Sequence, residues 1–403
     1  MQRPAEASLP GLPMASIRPS RRKPFGAEEF FDRERLPTTT TKAARSAAKI
    51  GRPTDVTNRG SPESEMADFI AAMPKCELHV HLEGTLEAEL KFELARRNGI
   101  SLPYANPKEM RAAYIYHDLQ SFLKIFYEGS KVLVKEQDFY DLCYAYLSKA
   151  RAQNIIYAEM FFDPQQHLSR AIPFADIVNG LSQARRDAEH ELGISSQLIM
   201  CFLREESAES AMATLVAAIP FKHEIVGIGL DSDEKGNPPA KFADIFARAR
   251  REGFRLTAHC DVDQENTHDH IAQAIEQIGV ERIDHGVNVL DDERLIALAR
   301  ERSLAFTLCP YGNEVVRPGH KQAPVRQMLD LGLRATLNSD DPAYMEGCYL
   351  NENFLIAQRD AALSKRELLT LTRNAFEAAW IGEEQRHSYL TLLDSFAGTR
   401  AEP

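Results

Sequence analysis

"ELHVH" (77–81) and "FRLTAHC" (254–260) share one plan: a short apolar, β-branched run that delivers a histidine at its carboxyl end. The plan recurs in "IIYAEMFFDP" (155–164), "SQLIMCFLR" (196–204), "IVGIGLD" (225–231), "RIDHG" (282–286), "LAFTLCP" (304–310) and "LRATLNSDD" (333–341). Nearly all of these end on His, Asp, Cys or Asn. Helical periods separate them, such as "FADIFARARREG", closed by Gly253, and "DERLIALARERS", which opens acidic and ends basic. Such alternation predicts a parallel sheet with crossover helices. Eight units over about 260 residues predict an α/β chain closed into a (β/α)8 TIM barrel, with extra N-terminal helices. The polar strand ends would then line the catalytic mouth. An open doubly wound sheet also binds ligands there, but a count of eight favours the barrel.

The 403-residue chain, 44% hydrophobic and 27% charged, can bury a large core. No apolar run approaches the roughly 20 residues of a membrane span. The net charge of -11 argues against nucleic acid as a partner. Six cysteines without a C-x-x-C pair suggest neither disulfides nor a thiolate zinc site, so a reducing cytoplasm is the expected compartment. Residues 1–62 differ from the rest: they hold 12 Lys and Arg against 6 acids, whereas the whole chain holds 48 against 59. Their Ser, Thr, Pro, Gly and Arg content predicts a disordered basic tail, with residues 63–403 as the barrel. A transit peptide is the weaker reading, because Glu28, Glu29, Asp32 and Glu34 are unwelcome there; a start at Met66 is a third.

In "ELHVH" the strand period of two points His79 and His81 to one face. A lone H-x-H is usually a polar pair at a strand rim. With His259 ending the fifth run and Asp340 the eighth, three imidazoles and a carboxylate form a donor set that Zn²⁺ accepts, leaving a position for water. His285, ending the sixth run, reads by itself as a buried histidine bonded to a carbonyl; beside a metal it would hold the attacking water. Asp341 could cap a helix before Pro342, yet adjacent strand-end carboxylates can serve metal and substrate separately.

"MPKCELHVHLEGTLEAELKFELARRNGI", "FFDPQ", "GLDSDEKGNPPAKF", "ERIDHGV" and "LNSDDPAYMEGCYLNENF" resemble the adenosine/adenine deaminase family of metal-dependent amidohydrolases, nearest its adenine deaminase branch. The resemblance runs from about Met73 to the helices near Leu390. It implies a TIM barrel with one Zn²⁺ per chain on His79, His81, His259 and Asp340. His285 would orient water and Asp341 would bond the purine at N7. Glu83 and Gly84 of "HLEG", and Asp231 and Ser232, would stand beside the substrate. The implied reaction is hydrolytic deamination of an adenine-type purine, base or nucleoside, at C6 with release of ammonia. A small-molecule purine is the implied partner, and the oligomeric state, a homo-oligomer included, stays open.

Two departures stand out. The family's strand-five motif is H-A-G-E, whose glutamate protonates the ring; its place here holds Val262. Asp263, adjacent to that place, and Asp261, two residues from His259, are the candidate acids, and Glu265 reads as a solvated loop charge. Gly312 stands where the family usually carries serine. The alternatives are removal of another C6 group, such as an N6-alkylamine, and a catalytically weak paralogue with a binding role. Because residues 1–62 cannot build a core, their deletion should leave thermal stability and turnover nearly unchanged, checked by melting and assay of the truncated chain.

Overall fold

The computed structural model describes residues 62–260, 267–319 and 324–400. The tail expected at 1–62 therefore lies, save Pro62, outside the described residues. Eight parallel strands follow one another around a barrel in sequence order: β1 (Lys75–Glu77), β2 (Ile155–Phe162), β3 (Ser195–Leu203), β4 (Ile225–Asp231), β5 (Arg255–Cys260), β6 (Arg282–His285), β7 (Ala305–Leu308) and β8 (Arg334–Leu337). A parallel bridge between Val80 and Asp340 joins last strand to first. Backbone bonds from Asp340 N to His79 O (3.1 Å) and from His81 N to Asp340 O (3.0 Å) close the ring. This is the (β/α)8 barrel expected from the eight runs.

The strands read as apolar runs because side chains fill the barrel on one face and helices cover the other. Ala243–Glu252 turns Ile245, Phe246 and Ala249 inward and stops at Gly253, whose φ of 99° suits a residue without Cβ. Glu293–Glu301 starts on Asp292, whose carboxylate accepts from the amides of Arg294 and Leu295. No described helix is long and apolar enough to cross a membrane.

The first strand is shorter than "ELHVH" suggests. Its register shifts between Lys75 and Cys76, and Leu78 N donates to the side-chain Oδ1 of Asn338 (2.9 Å) rather than to a ladder carbonyl. His79 and His81 therefore sit just beyond β1, held by the β8 seam.

At the opposite end, buried Arg282 pairs with buried Glu159 and stacks 3.7 Å from the Trp380 ring centroid. Glu159 Oε1 also accepts from Tyr157 Oη (2.9 Å) and Trp380 N (2.5 Å). A charge pair this deep is costly to break from one side, because the survivor is stranded away from water. Glu159→Gln should lower unfolding free energy by about 3–5 kcal/mol, as measured by urea denaturation.

Candidate active site

The carboxyl ends of β1, β5, β6 and β8 bring together His79, His81, His259, His285 and Asp340, all buried. Asp340 Oδ1 lies 3.3 Å from His79 Nε2 and 3.6 Å from His81 Nε2. The Nε2 atoms of His81 and His259 are 3.1 Å apart. His285 Nε2 stands 3.9 Å from Asp340 Oδ2, and its ligand atom groups with those of His79 and His259 within 4.8 Å. His285 (φ 60°) and Asp340 (φ 64°) both adopt left-handed backbone that non-glycine residues avoid, a strain typical of functional strand ends.

Hydrogen bonds behind His79 set its tautomer. Asp284 accepts from Thr307 Oγ1 (2.8 Å) and Thr257 Oγ1 (2.7 Å). Thr307 thus gives its only proton to Asp284 and can only accept from His79 Nδ1, 2.9 Å away. The His79 Nε2 lone pair then faces the centre, where that buried atom has no hydrogen-bond partner. Burial lowers the pKa of His81 to about 4 and, together with the neighbouring imidazoles, lowers that of His259. Burial likewise lowers His285. For Asp340, burial is outweighed by the close approach of His79 and by the charges of His285, His79 and His81, so its carboxyl stays ionised. Burial also opposes a charge on His79, yet Asp340 raises its pKa: the field here favours a cation. An inward-facing lone pair on the unpartnered His79 Nε2, imidazoles whose pKa burial lowers, and an ionised carboxylate fit a divalent metal bound by His79, His81, His259 and Asp340.

Around this centre the cleft wall is acidic. Asp341 packs against Gly84 so tightly that a β-carbon there would lie 1.9 Å from Asp341 Oδ1, which explains the glycine of "HLEG". Burial, reinforced by the charge of Asp340, pushes the Asp341 carboxyl well above its usual range. Glu83 points its Oε1 at the amide of Asp163 (3.2 Å) and at His167 Nε2 (2.9 Å), leaving Oε2 buried without a partner. Asp231 Oδ2 lies 3.6 Å from His81 Nδ1, and burial pushes its carboxyl up to about 7. A β-carbon on Gly312 would lie 2.5 Å from Asp340 Oδ2, so glycine gives that carboxylate its room here.

A roof covers the mouth. Leu119, Phe122 and Phe126, from the helix Leu119–Ser130, pack with Tyr311, Val316, Tyr344 and Met345 in an apolar cluster separate from the barrel core. The helix is tied down by hydroxyls: Ser232 Oγ donates to Glu205 Oε1 (2.8 Å) and so accepts from Tyr127 Oη, 2.5 Å away.

The expected residues His79, His81, His259, His285, Asp340, Asp341, Asp231 and Ser232 all gather here, with Glu83 and Gly84 directly behind Asp341 or in the adjoining wall. Asp261, Asp263 and Val262 lie outside the described residues. Asp163 and Tyr127, which line the cleft, and Asp284 and Thr307, which orient His79, are additions from the structure. "FFDPQ" and "RIDHG" contain Asp163 and Asp284, and their strand-end positions were the available signal.

The sequence profile of the adenosine deaminase family matches residues 74–396. An uncharacterized deaminase of Schizosaccharomyces pombe is 58% identical over 334 residues, 83% of this chain and 98% of the relative. The adenine deaminase of Geotalea uraniireducens is 46% identical over 338 residues, covering 83% and 94%. Among solved structures, a zinc-bound amidohydrolase from Burkhoderia ambifaria superposes with a TM-score of 0.76 at 26% identity, covering 86% of this chain and 97% of that one. With its barrel and its histidine-rich mouth, the chain belongs to the adenosine deaminase family and is a hydrolytic deaminase acting on purine C–N bonds.

Proposed function

We propose that this chain is a zinc-dependent deaminase whose substrate is an uncharged adenine-type base, hydrolysed at C6 with release of ammonia. One observation carries the choice of substrate. The described cleft lining holds five acids, Asp163, Asp231, Glu234, Asp340 and Asp341, together with apolar and imidazole groups and no lysine or arginine. Phosphate would find no lysine or arginine partner among the described lining residues. Asp163 Oδ1, both Asp231 oxygens and Asp341 Oδ1 are buried without partners and call for N–H donors or acceptors on the ligand. A free purine base carries a ring N–H that its N9-substituted nucleosides lack.

A single Zn²⁺ on His79, His81, His259 and Asp340 would supply Lewis acidity and activate water. The chain's own groups do the rest. Asp341, kept protonated by its surroundings, donates to ring N7. His285 holds the attacking water, takes its proton and passes it to the C6 amine, which leaves as ammonia. Asp231, with Ser232 beside it, fixes the opposite edge of the ring, and Glu83 and Gly84 hold Asp341 in place. A carboxyl from the segment after Cys260, Asp263 before Asp261, delivers a proton to the ring nitrogen beside C6 and takes back the proton of the new C6 hydroxyl. The roof excludes bulk water.

Purified, zinc-loaded protein should release ammonia from adenine with a kcat/KM on the order of 10⁴ above that for adenosine, the range expected when a site loses a donor it was built for. AMP should be inert and His79→Ala should lose both metal and turnover. AMP as the best substrate, or methylamine from N6-methyladenine outpacing ammonia from adenine, would sink this reading.

The second expectation concerns the loop acid. Asp263→Asn should lower kcat by about 10² or more with zinc content intact, measured by steady-state kinetics and metal analysis. Near-normal turnover in both Asp263→Asn and Asp261→Asn would remove the acid from this loop.

A further inference from the structure

Part of the motif "DSDEKGNPPAKF" (231–242) has no place in the cleft. Asp231, Ser232 and Glu234 line it, whereas Asn237 and Lys241 do not. What these residues share is Arg204, fully buried just past β3. Arg204 Nε donates to the carbonyl of Asn237 (2.9 Å), and Nη1 lies 3.4 Å from Glu234 Oε2. Lys241 Nζ donates to the carbonyl of Arg204 (2.7 Å) and to Asn237 Oδ1 (3.1 Å). The same Nη1 donates to the backbone carbonyl of His259 at 2.8 Å.

That last bond falls where the β4–β5 ladder stops. The β4–β5 ladder consists of Gly227–Arg255 and Ile228–Leu256 and goes no further, while β5–β6 pairing continues from Thr257 to Cys260. Beyond Leu256, then, β5 is laddered on one side alone. The guanidinium supplies a donor on the other side, at the residue whose imidazole faces the metal centre. A planar fork reaching Asn237 O, His259 O and Glu234 together is geometry that a single ammonium does not reproduce.

We propose that Arg204, held by Glu234, Asn237 and Lys241, is a positioning residue for the metal centre. It fixes the exit of β5, and with it the aim of His259 and the start of the segment that follows. The inference rests on the metal-site reading given above. Outer partners of metal ligands are typically worth about 10–100-fold in metal affinity, and Arg204 acts through a ligand's backbone in the same manner.

The test is Zn²⁺ affinity of the metal-stripped full chain, read by competition with a chromophoric chelator, beside the melting temperature of the metal-free protein. Arg204→Lys should bind Zn²⁺ about 10–100-fold more weakly than wild type. Lys241→Met, a change at an exposed side chain, should weaken binding less but in the same direction. It decides the matter if Arg204→Lys does not fold. A fall in melting temperature with wild-type Zn²⁺ affinity in both variants makes Arg204 a packing residue only and overturns the clamp. Failure of the wild-type chain to bind Zn²⁺ would instead overturn the metal-site reading, and the clamp with it.

Discussion

Two backbone hydrogen bonds, Asp340 N to His79 O and His81 N to Asp340 O, close the barrel and set the spacing of three candidate metal ligands at once. Ring closure and ligand placement are therefore one geometric condition. If β8 slipped by a residue against β1, the strand period would turn Asp340 away from the histidines. The left-handed backbone at Asp340 is the local cost of bending its carboxylate back over the seam. His259 and His285 then approach from β5 and β6, with Asp284 and Thr307 fixing the ring of His79 from behind.

The mouth concentrates acids in a way that no fold would tolerate for stability alone. Asp163, Asp231, Asp340 and Asp341 are buried together, and three of them leave side-chain oxygens unbonded. Burial answers by raising the pKa of Asp163, Asp231 and Asp341, while Asp340 alone is held ionised by imidazoles. One carboxylate is thus held charged and the other three are pushed toward the protonated form, although the residue type is the same throughout. Environment, not chemistry of the side chain, divides the labour.

The barrel was legible in the sequence because each strand is apolar until a polar terminal residue, a pattern that survives without any knowledge of contacts. His79, His81, His259 and Asp340 were legible for the same reason, being strand ends. The shortening of β1 was not, since it depends on the Asn338 side chain replacing a ladder carbonyl from across the seam. Nor was Arg204: as the last letter of "SQLIMCFLR" it looks like a solvated strand end, and only the fold brings it to the carbonyl of His259. Thr307 reads as an ordinary β-branched core residue until Asp284 is seen to fix its proton. Gly312 appears in the sequence as a missing serine, whereas in the structure it is the space that Asp340 occupies.

The apolar roof is its own cluster, fastened to the barrel by polar bonds such as Tyr127 to Ser232 and by Lys91, which donates to the hydroxyls of Tyr114 and Tyr344. Side chains that do not share a core need not melt together. Amides of the helix Leu119–Ser130 are therefore expected to exchange with solvent ahead of those in β1–β8, through openings that leave the barrel core packed.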